Sequence, residues 1–195
     1  HSAHEALIAP CPRYYNPDLG AMVCDYHEPV MENGPAITKI ATLLRDIHAL
    51  PPVHYKLDLK ERIGAYEHQL GDQKTRQLSQ SLRQKALSAL ELLSQEPENV
   101  VLCHNDLLAA NRLNTALGLL AIDWEYCAMG SPWFDLAVIV IGDKMSEAQR
   151  EALVLAYLQR PATTAEQLLL ERYCEVYRYL EQLWGLTNDA AALNL

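Results

Sequence analysis

Apolar positions along this chain keep a helical period over most of its length and abandon it in two places. Ile37, Ile40, Leu44 and Ile47 recur at spacings of three and four, which predicts an amphipathic helix over 35–50, stopped by Pro51-Pro52. Two more helices are predicted over 57–70 and 75–94, the second burying Leu78, Leu82, Ala86, Leu90 and Leu93. Ser131-Pro132 supplies an N-cap and a first helical residue for a helix running to Ile141. Ser146 with Gln149, and Thr163 with Glu166, are capping-box pairs that open two further helices. The last of these places Leu169, Tyr173, Val176, Tyr177, Leu180 and Trp184 on one face. The first break in the period is residues 1–30, where Asn16-Pro17-Asp18-Leu19-Gly20 reads as a turn between two short strands. The second is residues 100–123. There a strand-like run, Val100-Val101-Leu102-Cys103, leads into His104-Asn105-Asp106, and 111–114 and 119–123 form the arms of a hairpin around 115–118.

Half of the 195 residues are hydrophobic and 21% are charged, enough to bury a core and too apolar for a disordered chain. The 16 Lys and Arg against 25 Asp and Glu leave a net charge of −9, with no dense basic run, so nucleic acid is not expected as a partner. No apolar stretch is long enough to cross a bilayer, so no membrane insertion is expected. Five cysteines without regular spacing read as reduced thiols, and a cytoplasmic location is expected.

The polar segment 104–111 carries the candidate chemistry. The hairpin brings Asp123, at the end of its second arm, back beside Asn111, at the start of its first, and adjacent strands run about 4.8 Å apart. Their side-chain oxygens can share one hard cation such as Mg²⁺, while Asp106 projects from the loop as a base for a hydroxyl. A base and two metal ligands without a protein nucleophile are what phosphoryl transfer requires. Each residue also has a plainer role open to it. Asp106 can cap the turn, Asn111 can satisfy loop backbone, His104 can be a buried hydrogen-bonding residue and Asp135 can complement a helix dipole.

The ordered set of segments resembles the aminoglycoside phosphotransferase and choline kinase superfamily, distant relatives of protein kinases. His104-Asn105-Asp106-Leu107-Leu108-Ala109-Ala110-Asn111 is similar to the HxDxxxxN catalytic loop of that superfamily. Leu120-Ala121-Ile122-Asp123-Trp124-Glu125-Tyr126 resembles its metal-binding segment, and Ser131-Pro132-Trp133-Phe134-Asp135-Leu136-Ala137 the helix start that follows. Leu43-Leu44-Arg45-Asp46-Ile47-His48-Ala49-Leu50 resembles its LxxLH helix. The resemblance implies an α+β fold, a mostly helical protein-kinase-like large lobe over 29–195 with a remnant of the small β lobe over 1–28. It implies Asp106 as catalytic base, Asn111 and Asp123 as Mg²⁺ ligands, and His104 and Asp135 as braces of the catalytic loop. Asp25, Tyr26 and His27 look like the hinge that binds the adenine of ATP, with Leu113 and Ile122 as its apolar floor.

The glycine-rich turn and strand Lys that precede the hinge in this superfamily have no counterpart, because only 24 residues stand before Asp25, while Lys39 and Lys56 follow it. With His rather than Met at position 1, truncation or an upstream region is expected, and the fragment alone is expected to bind ATP poorly. Glu125-Tyr126 and Trp184-Gly185 look most like bacterial LicA-type choline and ethanolamine kinases, implying Glu125, Tyr126, Tyr177 and Trp184 as acceptor-site residues. A small cationic alcohol is the expected partner, since an ammonium group favours aromatic faces and carboxylates. The superfamily's choline kinases carry an acidic residue late on the helix after Phe134-Asp135, where this chain has Gly142 and then Asp143. Thiamine and aminoglycoside kinases share the same loop, and an inactive kinase-like binding module and a metal-dependent hydrolase stand as alternatives.

Overall fold

The computed structural model describes residues 2–30, 36–75 and 79–192. A single helical turn, α1 (Ser2–Glu5), precedes an antiparallel pair, β1 (Pro12–Asn16) and β2 (Ala21–Cys24), with Tyr15 opposite Met22. Helix α2 (Ile37–His48) buries Ile40, Ala41, Leu43, Leu44 and Ile47; Pro35 of the predicted helix lies outside the described residues. Helix α3 (Leu59–Thr75) starts two residues later than its period suggests, because Asp58 Oδ1 accepts from the N–H groups of Lys60 and Glu61 at 2.9 Å and caps it. It also runs on through Gly71, at a cost of about 1 kcal/mol relative to alanine that a helix interior tolerates. Helix α4 (Gln80–Leu93) is capped by Ser79, so the boundary falls later than the predicted start at 75.

Strand β3 (Val101–Cys103) leads into the polar loop, which closes in one 3-10 turn, Ala109–Asn111. The hairpin follows as β4 (Arg112–Thr115) and β5 (Gly118–Ala121), with Leu113 opposite Leu120 and a tighter turn than expected, only Ala116-Leu117 lying outside the Thr115–Gly118 pair. Gly118 takes φ +130°, open to glycine and strained for other residues. A strand that the period did not reveal, β6 (Ala128–Gly130), pairs antiparallel with β3, setting Leu102 against Met129. Helices α5 (Pro132–Gly142), α6 (Glu147–Leu158) and α7 (Thr164–Ala192) complete the chain. The result, among the described residues, is an α+β arrangement of helices with three two-stranded ladders.

Apart from Asp135, helix α5 is apolar around its circumference, and every residue from Pro132 to Val140 is buried, as expected of a central helix. One side of it packs with α2, α6 and the hairpin through Leu44, Ile47, Leu119, Leu136 and Leu153. The other packs with α3, α4 and α7 through Ile63, Ala86, Val138, Val176 and Leu183. Tyr179 donates to Glu67 at 2.6 Å, and Arg83 donates to the same carboxylate at 2.7 Å, which ties α7, α3 and α4 together. Trp184, on the same face of the last helix as Tyr177 and Leu180, is half-exposed and borders a cavity.

The capping box at α6 is complete. Ser146 Oγ accepts from Gln149 N–H at 3.4 Å, and Gln149 Oε1 accepts from Ser146 N–H at 2.9 Å. Ser146→Ala removes half of this exchange, and we expect a loss of about 1 kcal/mol in urea denaturation. A change below a few tenths would show that α6 is held by its buried face alone. Among the described residues no helix is long and apolar enough to cross a membrane, and all five cysteines are free.

Candidate active site

Where β3 ends, the chain is held by one buried carboxylate. The Asp135 side chain, in the first turn of α5, accepts from His104 N–H at 2.9 Å and from Asn105 N–H at 2.6 Å. His48 Nε2, from the last turn of α2, lies 3.0 Å from the same carboxylate, and its Nδ1 is 2.8 Å from the Tyr157 hydroxyl of α6. A carboxylate fully removed from water is costly unless its lone pairs are occupied, and three donors occupy these. Asp135 therefore does more than complement the α5 dipole: it joins α2, α5 and α6 to the loop. Sequence reasoning did not single out His48 as a site residue, although it closes the LxxLH segment.

His104 is buried, with Nε2 at 3.0 Å from the Ile122 carbonyl and its ring against Trp124 at 4.8 Å between centroids. A carbonyl only accepts, so Nε2 carries the hydrogen and Nδ1 a lone pair that finds no partner among the described residues. Burial holds the imidazole pKa below its ordinary value, in keeping with this neutral tautomer. Asn105 adopts φ +65°, a left-handed conformation that asparagine tolerates, and its side-chain amide donates to the Tyr126 carbonyl at 2.9 Å.

That reversal is followed by Asp106, which faces a cavity of about 340 Å³. Asn111 Nδ2 donates to the Asp106 backbone carbonyl and to Asp106 Oδ2, both at 2.8 Å, which leaves Oδ1 without a protein donor among the described residues. Burial pushes the Asp106 carboxyl up to about 6, against the lowering effect of the Asn111 hydrogen bond and with help from Asp123 and Glu125. The Ile122 N–H donates to the Asn111 carbonyl at 3.0 Å, so Asn111 and Asp123 are neighbours where the hairpin ladder ends. Asp123 sits at φ +62°, an uncommon conformation for a residue with a side chain, and it too faces the cavity. Asp123 has no side-chain hydrogen bond among the described residues, and Asn111 Oδ1 is equally uncommitted. Two uncommitted oxygen donors lining one cavity suit a hard cation with several water or phosphate ligands.

A second clamp lies on the far side of the loop. Asp143, at the end of α5, accepts from the Ala109 N–H at 3.2 Å and pairs with Arg112, so Asn111 is fixed from both flanks. This commits the carboxylate nearest Gly142 away from the cavity. At Gly142 itself a Cβ would meet Leu108 Cδ2 at 2.2 Å, so an acidic residue at that position would require Leu108 to move.

The cavity brings together Asp106, Asn111, Asp123, Glu125, Tyr126, Tyr177 and Trp184, which the sequence placed in catalytic, metal and acceptor roles. Among the lining residues that the sequence did not single out for the site are Arg62, Tyr66 and Glu181. Glu181 was findable, since it stands between Tyr177 and Trp184 on one helical face. Arg62 and Tyr66, a turn apart on α3, carried no such signal. The Arg62 guanidinium carbon lies 5.1 Å from the centre of the Tyr126 ring. A larger cavity of about 970 Å³ runs along α4 and α7, sharing Leu57, Leu59, Asn105 and Phe134 with the smaller one but none of its carboxylates.

The expected hinge residues do not line the 340 Å³ cavity, and neither do Leu113 and Ile122. Asp25 is held in a two-bond pair by Arg13, at 2.6 and 2.7 Å, and the Tyr26 hydroxyl donates to Glu28 at 3.0 Å. His27 is half-buried between them. The chain then meets the hairpin, with Pro29 bridged to Thr115 and Val30 N–H donating to the Asn114 carbonyl at 2.8 Å.

Residues 2–171 match the phosphotransferase enzyme family. The chain belongs to that family. A LicA homologue of Mycoplasma capricolum is 24% identical to this phosphotransferase-family chain over 188 residues, 94% of the chain and 74% of the homologue. Thiamine kinase of Salmonella typhi is 30% identical over 166 residues, 84% of the chain and only 57% of the kinase. A choline/ethanolamine kinase family protein from Mesorhizobium loti has the same fold, with a TM-score of 0.83 at 24% identity over 98% of this chain and 69% of that one. Choline kinase LicA from Streptococcus pneumoniae gives 0.82 at 21% identity, over 98% and 70%. The fold is thus kinase-like, as the catalytic-loop resemblance implied.

Proposed function

We propose that this phosphotransferase transfers the γ-phosphoryl group of ATP to the hydroxyl of a small cationic alcohol, with choline and ethanolamine the foremost candidates. The observation that carries the reading is the half-buried Asp106, fixed by Asn111 through one oxygen and open through the other, in the same cavity as Asp123. Asp106 Oδ1 accepts the proton of the acceptor hydroxyl as the alcohol oxygen forms its bond to the γ-phosphorus and the bond to ADP breaks. Asp123 and Asn111 Oδ1 fit Mg²⁺, which when bound neutralises charge on the phosphates. Residues 29–30, which follow the segment 25–27, contact the hairpin that carries Leu113, which supports a role for 25–27, Leu113 and Ile122 around the adenine. Glu125, Glu181, Tyr126, Tyr177 and Trp184 give the acceptor end carboxylates and aromatic faces suited to an ammonium. Thiamine, also a cationic alcohol, is the second reading, favoured by the thiamine kinase relatives.

The test is ADP release by the full-length gene product with ATP and Mg²⁺, offering choline, ethanolamine, thiamine and an aminoglycoside in turn. Turnover with one of the first three is expected, and silence with all of them would sink the cationic-alcohol assignment. In the same assay Asp123→Asn is expected to raise the Mg²⁺ concentration for half-maximal rate by about tenfold or more. An unchanged Mg²⁺ requirement would remove Asp123 from the metal site.

A further inference from the structure

The acceptor cavity already contains a cation. Arg62 reaches from α3 to the face of Tyr126, its guanidinium carbon 5.1 Å from the ring centre, within the range of a cation–π contact. Glu125 and Glu181 line the same cavity, yet among the described residues Arg62 forms no ion pair and no side-chain hydrogen bond with either. The ring, and not a carboxylate, is what holds this guanidinium, so it is held weakly enough to be displaced.

We infer that Arg62 is a specificity-determining residue that competes with the cationic head group of the acceptor for the face of Tyr126. This rests on the cationic-alcohol reading above. Tyr126 is three residues from Asp123 and borders the same chamber as Asp106, so its ring is within the space an acceptor must enter. One ring face does not serve two cations: its quadrupole attracts one, and two like charges in a partly dry cavity repel. An ammonium head group gains Tyr126 only as the guanidinium withdraws, whereas a neutral head group of the same shape gains nothing from that withdrawal. Arg62 therefore weakens binding of cationic acceptors in particular and takes no part in the phosphoryl transfer itself.

The experiment replaces Arg62 by Met, which keeps the stem and the helix propensity and removes the charge. Tetramethylammonium binding is followed by calorimetry. Steady-state kinetics are run with the cationic alcohol that turns over and with 3,3-dimethylbutan-1-ol, the neutral isostere of choline. Arg62→Met is expected to tighten tetramethylammonium binding by about 2- to 30-fold, the range of a cation–π contact. KM for the cationic acceptor is expected to fall alike, with the effect on KM and not kcat, while the neutral isostere is unaffected. Arg62→Lys, which keeps a cation, should stay near wild type. In a Tyr126→Leu background the Arg62→Met gain should vanish, which separates competition on the ring from a general change in pocket charge. Unchanged or weaker tetramethylammonium binding in Arg62→Met, or an equal gain for the neutral isostere, would overturn the inference. A wild type that binds tetramethylammonium more weakly than Arg62→Met yet phosphorylates only neutral alcohols would uphold Arg62 as competitor and refute the cationic-acceptor reading instead.

Discussion

Asp106→Asn is expected to lower kcat by about 10²- to 10⁴-fold, the usual contribution of a positioned general base. The replacement has the same shape, and its amide oxygen can still accept from Asn111 Nδ2, so the hydrogen bonds at 2.8 Å that close the 3-10 turn survive. What disappears is an atom able to take the proton of the acceptor hydroxyl. Folding should change little, by less than about 1 kcal/mol, because no buried group is left unpaired. Steady-state ADP release and a thermal melt, run side by side, read both quantities. Turnover near wild type would remove Asp106 from the reaction, and a large drop in melting temperature would make it a structural residue first.

Asp135→Ala should act in the opposite way, on stability before chemistry. It strips the acceptor from the N–H groups of His104 and Asn105 and from His48, all in or beside the core, with nothing of similar shape to replace it. Each abandoned donor costs about 1–3 kcal/mol, and breaking a buried charged cluster from one side about 3–5 kcal/mol in all. A domain stable by about 5–15 kcal/mol would lose a large share of its margin. We expect a shift of that size in the urea midpoint. Activity should fall even where the fold persists, since the residue before Asp106 is no longer anchored. A destabilisation below about 1 kcal/mol would mean that water reaches these donors and that the carboxylate is not their main support.

The two variants mark the boundary of what could be read from residues alone. Three helix starts were legible from local chemistry: Ser131-Pro132, Ser146 with Gln149, and Thr163 with Glu166, whose carboxylate accepts from Thr163 N–H at 2.8 Å. The cap at Asp58 was as local and was passed over because an apolar residue, Leu57, stood just before it. Strand β6 was not legible, since three residues show no period and its pairing with β3 spans nearly thirty positions. Within the site, Asp106, Asn111 and Asp123, which all line one cavity, were singled out from spacing and from the resemblance of their segments. Their partners were not. Asp135 meets His48 across 87 positions, and Arg62 meets Tyr126 only because α3 packs along α7 and leaves its first turns facing the loop.

Loops ordinarily absorb inserted and deleted residues more easily than the elements they join. The segment between β3 and β4 lacks that freedom. Its first two amides are pinned to one carboxylate, its middle is cross-linked from Asn111 back to Asp106, and Ala109 and Arg112 are held at its end by Asp143. Adding or removing one residue anywhere from 104 to 112 would put at least one of these attachments out of register. It is a connection whose length is as fixed as that of a buried strand, and libraries built to vary this protein should change the identity of its residues but never their number.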